Sequence, residues 1–368
     1  MDTVEILRRL VAFDTTSQRS NLALVDWAAD YLESVGARIR LTRDASGEKA
    51  NILATIGPDG PGGIVLSGHT DVVPVDDQDW ASDPFSLASR DGRLHGRGAV
   101  DMKGFVAACL AAVPGWRAGK LWRPIHLALS YDEEVGCLGV PLLIADMLAH
   151  CPRPTLAIIG EPTQMRIGLS HRGFYGYRSV FHGRAAHSSD PALGASAIEP
   201  AAALVAALTG SEGLRHSEHS GTTVNIGRIT GGSAINIVPE RCEVVWEFRP
   251  PNGAAASAVL AEVESFVAKL SHEVSVETTP LARVLPLDCA AESPAAGLVR
   301  EFGGLWPPLA MPFGTEAGFF QEAGIPALVC GPGSIAQAHQ PNEWIALAEL
   351  DAADRFLERV GDWAAAAP

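Results

Sequence analysis

Residues 62–104 read GGIVLSGHTDVVPVDDQDWASDPFSLASRDGRLHGRGAVDMKG, and the order of apolar, small and charged residues in this stretch decides the fold class. Ile64, Val65 and Leu66 form a short apolar run of the kind that makes a buried strand. Ser67 and Gly68 end it, and His69 and Asp71 follow just past its carboxyl end, where open α/β sheets collect their reactive groups. After a loop rich in Gly, Asp and Arg comes Asp101, directly ahead of a helical segment, Phe105 to Val113, that leads through Pro114 and Gly115 to the next apolar run. A histidine and a carboxylate on such loops suggest a site, since a core histidine is not expected there.

The same rhythm repeats outward from this stretch. Helical periodicity runs over Asp2 to Phe13 and Asn21 to Val35, and a strand pair follows at Ala37 to Leu41 and Asn51 to Ile56. A mostly apolar run, Ile125 to Leu129, empties into SYDEEVGCLG, and another, Thr155 to Ile159, ends in GEPT. Strands that alternate with helices and end in a carboxylate or histidine imply an α/β fold. Its catalytic domain is a mostly parallel sheet flanked by helices, with the site along one edge. From about Phe174 the order becomes strand, helix, strand, strand, helix, strand, that of a ferredoxin-like α+β unit. The predicted organisation is a catalytic domain of residues 1–173 and 283–368, interrupted by an inserted lid or dimerisation domain, 174–282.

Composition narrows the function classes. The 368 residues carry a formal charge of −15 with no Lys/Arg cluster, which argues against nucleic acid as a partner. Six scattered cysteines without a CxxC pair read as reduced core thiols of a cytoplasmic protein. The amino-terminal segment lacks the apolar core of a secretory signal, and no run of about 20 apolar residues offers a membrane span.

Each candidate residue has a plainer reading when taken alone. His69 reads equally as a hydrogen-bonded loop residue, and Asp101 as the cap of its helix. Asp132, Glu133 and Glu134 read as a solvated acidic turn, and His339 in AQAHQPNE as an isolated histidine. Taken together they fit metal chemistry better. Adjacent carboxylates repel unless a divalent cation relieves them, and Glu161, directly after an apolar run, would be costly to desolvate unpaired. Asp71, two residues from His69, is placed to hold its second ring nitrogen. The set His69, Asp101, Glu134, Glu161 and His339 contains two histidines, three carboxylates and no cysteine. It suits two divalent ions, zinc foremost, with cobalt or manganese as alternatives.

The motifs GHTDVVP, GRGAVDMKG, YDEEVGCLG, IIGEPT, GRAAHSS, GTEAGFF and GPGSIAQAHQPNE occur in this order along nearly the whole chain. They resemble those of the dizinc amidohydrolases of the M20 metallopeptidase family, and within it most closely the deacetylases acting on N-acetylornithine. The resemblance implies that His69 and Glu161 bind one metal, Glu134 and His339 the other, and that Asp101 bridges them. Glu133 would be the general base and proton shuttle, and Asp71 the orienter of His69. His187 would reach the active site of the partner subunit of a homodimer and steady the oxyanion. Arg249 and Asn236 would contact the substrate carboxylate and carbonyl, and Thr315 and Glu316 its amino-acid side chain. The expected reaction is hydrolysis of N-acetyl-L-ornithine to acetate and L-ornithine, a step of arginine biosynthesis. The alternatives are another N-acyl amino acid amidohydrolase, such as a succinyl-diaminopimelate desuccinylase or an aminoacylase, or a non-catalytic metal-binding module.

Overall fold

The structure is a computed structural model that describes residues 1–210, 221–270 and 273–367. The chain divides into two compact units: Met1–Ser170 with Cys289–Met311 and Thr315–Pro368, and His171–Asp288 with Pro312–Gly314.

In the first unit a central sheet runs in the order Arg38–Arg43, Ala50–Ile56, Ile125–Ser130, Ile64–His69, Leu156–Pro162, Ala327–Gly331, Arg166–His171. The four strands from Ile125–Ser130 to Ala327–Gly331 are mutually parallel, with His69 level with Ser130 and Gly331 level with Pro162. Every residue of these four strands is buried, as expected where helices cover both faces. The flanking strands are antiparallel. Arg38–Arg43 and Ala50–Ile56 are joined by only the turn 44–49, too short for the crossover that a parallel pair requires.

The helix after Asp101 spans Lys103–Ala118 and carries Pro114 inside it, so it runs beyond the segment Phe105 to Val113 that the sequence marks as helical. Proline removes the bond to the carbonyl four residues back, and here the Tyr31 hydroxyl approaches that carbonyl, Leu110 O, at 3.5 Å. The helix is buried along most of its length because it is apolar nearly all round. Its Lys103 is buried too, and Nζ donates to Leu10 O at 3.0 Å and Phe13 O at 2.9 Å, which closes the end of the helix Thr3–Val11. Among the described residues no helix is long and apolar enough to cross a membrane. All six cysteines are free, four of them buried.

The second unit is a four-stranded antiparallel sheet ordered Thr223–Gly231, Arg241–Arg249, Phe174–His182, Ser275–Val284, with helices Ile198–Thr209 and Gly253–Val267 between strands in sequence. This is the ferredoxin-like order. The last strand continues past residue 282, where the sequence alone ends the unit, because its pairing with Phe174–His182 persists to Val284. Tyr175, Tyr177, Trp246 and Phe248 stack along the adjacent strands.

One contact couples packing to the site. A Cβ on Gly160, the residue before Glu161, would fall on the Phe105 ring. Gly160→Ala is therefore expected to destabilise the protein by roughly 1–3 kcal/mol through overpacking. Chemical denaturation measures this, and stability equal to the parent would refute it.

Candidate metal centre

Four of the parallel strands deliver the candidate side chains. His69 is the last residue of its strand, and Glu161 the sixth of Leu156–Pro162. Glu133 and Glu134 lie on the turn after Ile125–Ser130, and His339 on the loop after Ala327–Gly331, at a positive φ of 60°. Asp101 does not cap its helix: the cap position is Met102, and no side chain caps it. Instead Asp101 turns each oxygen to a different histidine. Oδ1 lies 3.0 Å from His69 Nε2 and Oδ2 lies 3.2 Å from His339 Nε2. His69 Nε2 is also 3.7 Å from Glu161 Oε1, and His339 Nε2 is 3.1 Å from Glu134 Oε2. Donors bound to one zinc ion at about 2.0–2.2 Å stand roughly 3.3 Å apart, so these spacings match those of shared coordination.

The electrostatics agree with the chemistry of that donor set. Burial pushes the Glu161 carboxyl well above the usual carboxylate range, and the charge of Asp101 adds to it. Burial likewise raises Glu133, reinforced by Glu134, Glu316 and Asp101, although His69 opposes it. Glu134 is raised to about 7 by burial and by Asp101. Burial pushes Asp101 up as well, but its bonds to His339 and His69 overcome this and hold it low. Hydrogen bonds to Asp101 and Glu134 raise His339 to about 10. Two histidines and several carboxylates thus compete for protons in a volume where divalent cations would balance them. His69, Glu133 and Glu161, and His69, Asp101 and Glu134, each bring ligand atoms within 4.8 Å of one another. The residues fit a pair of divalent ions.

Behind these groups stand residues with a different task. His69 Nδ1 meets the main-chain carbonyl of Asp71 at 2.9 Å, and its carboxylate only at 3.5 Å. That carboxylate accepts from Ser17 Oγ at 2.7 Å and from the amides of Glu133 and Glu134 at 3.1 and 3.3 Å, so it pins the acidic turn. Lys49 holds the same turn through Asp132 and the Ser17 carbonyl. Cys137 Sγ lies 3.5 Å from Glu133 Oε1.

Thr315 and Glu316 are buried at 0% and 1% exposure, and the Glu316 oxygens accept from the Ser67 and Ser130 hydroxyls. This is a supporting position beneath the strand ends, and neither side chain is open to a solute in this structure. His187, Asn236 and Arg249 lie in the second unit, all exposed. His187 Nδ1 accepts from the Ser189 amide at 3.2 Å, and the Asn236 carbonyl accepts from the Ser188 amide at 3.0 Å. Arg249 pairs with Glu247 at 3.3 Å and covers the Phe174 ring.

Sequence reasoning missed Glu343. It is 1% exposed and accepts from Arg97 and from three main-chain amides of the loop that carries Asp101. An acid in the string Gln-Pro-Asn-Glu reads as solvated. The available signal was the glycine-rich loop 96–104, whose amides need an acceptor.

A family profile described as "Peptidase family M20/M25/M40" matches residues 65–361. The chain is 34% identical to the acetylornithine deacetylase of Pasteurella multocida (strain Pm70), over 95% of this chain and 93% of that protein. It is 33% identical to the acetylornithine deacetylase of Yersinia pestis, over 98% and 96%. Among solved structures, its fold is shared with an M20 family metallo-carboxypeptidase, Sso-CP2, of Sulfolobus solfataricus. The TM-score is 0.73 at 18% identity, covering 99% of this chain and 100% of that one. By sequence, fold and the cluster of candidate metal ligands, this chain belongs to the M20/M25/M40 peptidase family and is a hydrolase.

Proposed function

We propose that the protein hydrolyses the amide of N-acetyl-L-ornithine, releasing acetate and L-ornithine, as a cytoplasmic homodimer serving arginine biosynthesis. The observation that carries the hydrolytic reading is Asp101, with one oxygen toward each of two histidines and Glu133 close by. The named relatives, 33–34% identical over nearly the full chain, support the substrate.

On this reading His69 and Glu161 hold one divalent ion, Glu134 and His339 the second, and Asp101 serves both; zinc suits this nitrogen and oxygen donor set, with cobalt or manganese as substitutes. Bound there, the ions supply positive charge for the carbonyl oxygen and acidify the attacking water. Glu133 accepts the proton of that water, and its raised proton affinity suits a group that must take a proton and pass it on. It then delivers the proton to the amine nitrogen as the C–N bond breaks. His187 supports an oxyanion role because Nδ1 is occupied as an acceptor, which leaves Nε2–H as the donor. We infer that it serves the centre of the other copy in the dimer. Arg249 offers its planar donors to the substrate carboxylate, and Asn236 its amide to the carbonyl.

Three measurements test this reading. Amine release from N-acetylornithine, N-succinyl-diaminopimelate and a series of N-acetyl amino acids should rank N-acetylornithine first; good turnover elsewhere with none on it ends the substrate assignment. Glu133→Gln should lower kcat by about 10²–10⁴-fold while bound metal stays at the parent level, and persistent turnover would show that another group is the base. Zinc affinity should rise with pH. Without a cation Glu134 holds a proton up to about 7 and His339 up to about 10, so binding must displace protons that become scarcer across that window. Chelator competition at stepped pH reads this, and a flat profile would contradict it.

A further inference from the structure

We propose that Glu343 is a positioning residue for the metal centre, locking the loop that carries Asp101 to the loop that carries His339. This inference rests on the reading of the centre as metal-binding.

Glu343 lies four residues after His339 and points away from the centre into protein. Oε1 accepts from the Val100 amide at 2.8 Å and the Asp101 amide at 3.1 Å. Oε2 accepts from the Gly98 amide at 3.0 Å and from Arg97 Nη1 at 2.8 Å. The Glu343 main-chain carbonyl accepts from the Gly96 amide at 3.0 Å, so side chain and backbone grip the same loop. Four N–H donors converge on two oxygens. That arrangement demands an anion, because a protonated or amide side chain would turn a hydrogen toward one of the donors.

Loop geometry explains why such a grip is required. Gly98 sits at a positive φ of 80°, and a Cβ there would meet Val72 Cγ1 at 2.8 Å. The backbone of 98–101 is therefore neither helix nor strand, and its amides have no ladder to enter. Glu343 supplies the acceptor for three of the four, Ala99 alone turning to the Gly96 carbonyl at 3.1 Å, and the last amide it takes is that of Asp101 itself. Arg97, 1% exposed, extends the lock: Nη2 donates to Gln78 Oε1 at 2.6 Å, and Nη1 also approaches the Gln340 carbonyl at 3.4 Å. Asn342, beside Glu343, accepts from the Ala81 amide at 2.7 Å and so pins the next loop. The residues following His339 thus determine where two proposed ligands stand relative to each other, without touching an ion.

The test is Zn²⁺ affinity, read by competition with a chromogenic chelator on metal-stripped full-length protein, in parallel with thermal unfolding of the stripped protein. Glu343→Gln keeps the shape but loses the anion, and should weaken Zn²⁺ binding by about 10–100-fold, the usual effect of removing a group that orients a ligand. Glu343→Asp should recover part of the loss, and kcat at saturating metal should fall while KM holds. If Glu343→Gln does not yield folded protein, the double variant Arg97→Gln/Glu343→Gln removes both buried charges and should show the same weakened binding. A lowered melting temperature with parental Zn²⁺ affinity in the folded variant would make Glu343 purely structural and overturn the proposal. A parent protein that binds no divalent ion would overturn the metal reading itself, a result distinguishable from the former.

Discussion

One carboxylate between two imidazoles sets the geometry of the first unit. Asp101 stands 3.0 Å from His69 and 3.2 Å from His339, and Glu134 and Glu161 close in from the other strand ends. Like charges gathered with little water raise one another's proton affinity, and each buried carboxylate without a partner costs several kcal/mol. No packing of apolar residues can offset that locally, so the arrangement makes sense as a receptacle for positive charge. The parallel sheet is what makes it possible, because parallel strands bring several chain reversals to the same edge.

Holding repelling groups at fixed distances requires rigid loops, and the protein uses further acids for that purpose. Asp71 takes the Ser17 hydroxyl and two amides of the acidic turn. Glu316 takes two serine hydroxyls from neighbouring strands, and Glu343 takes an arginine and three amides. In each case the carboxylate faces donors that irregular backbone or a strand end leaves over. These three acids differ from Asp101 and Glu134 in what they face: hydroxyls, main-chain amides and a guanidinium, rather than the imidazole Nε2 nitrogens of the centre. A carboxylate whose partners are fixed donors of the scaffold supports the loops; one gathered with imidazoles and other carboxylates lies at the candidate site.

The candidate residues of the centre were legible as a set rather than singly: Glu161 directly follows an apolar run, but Asp101 and His339 sit in loops of mixed composition and gain meaning only beside the other charges. Strand existence was legible from the apolar runs themselves. The supporting acids were not. Glu343 sits among Gln, Pro and Asn, with no periodicity to mark it as buried, and the role given to the Asp71 side chain falls largely to its main-chain carbonyl. Thr315 and Glu316 were expected at the substrate; both are buried, and Glu316 accepts from Ser67 and Ser130, a packing that nothing in GTEAG signals. The helix read over Phe105 to Val113 continues through Pro114, where a tyrosine from another helix reaches the carbonyl that proline deprives of a partner. The burial of Glu343 and Glu316 and the passage of the helix through Pro114 share a cause: each depends on a contact between residues distant along the chain.

The same separation bears on specificity. On the proposed reading, a centre made of two histidines and a ring of carboxylates holds cations that would polarise an amide, and no residue assigned to it reads the amino-acid side chain beyond that amide. A fold that presents such a centre can therefore serve many acylated substrates. On the proposed reading, discrimination must come from groups with spare donors matched to the rest of the molecule. Arg249 has the planar geometry for a carboxylate, and it lies 3.3 Å from the half-buried Glu247 carboxylate, so a substrate carboxylate would have to share the guanidinium with Glu247. On that reading chemistry and selection are carried by different parts of the chain: the first by buried loops whose amides are bonded, the second by exposed side chains of the second unit.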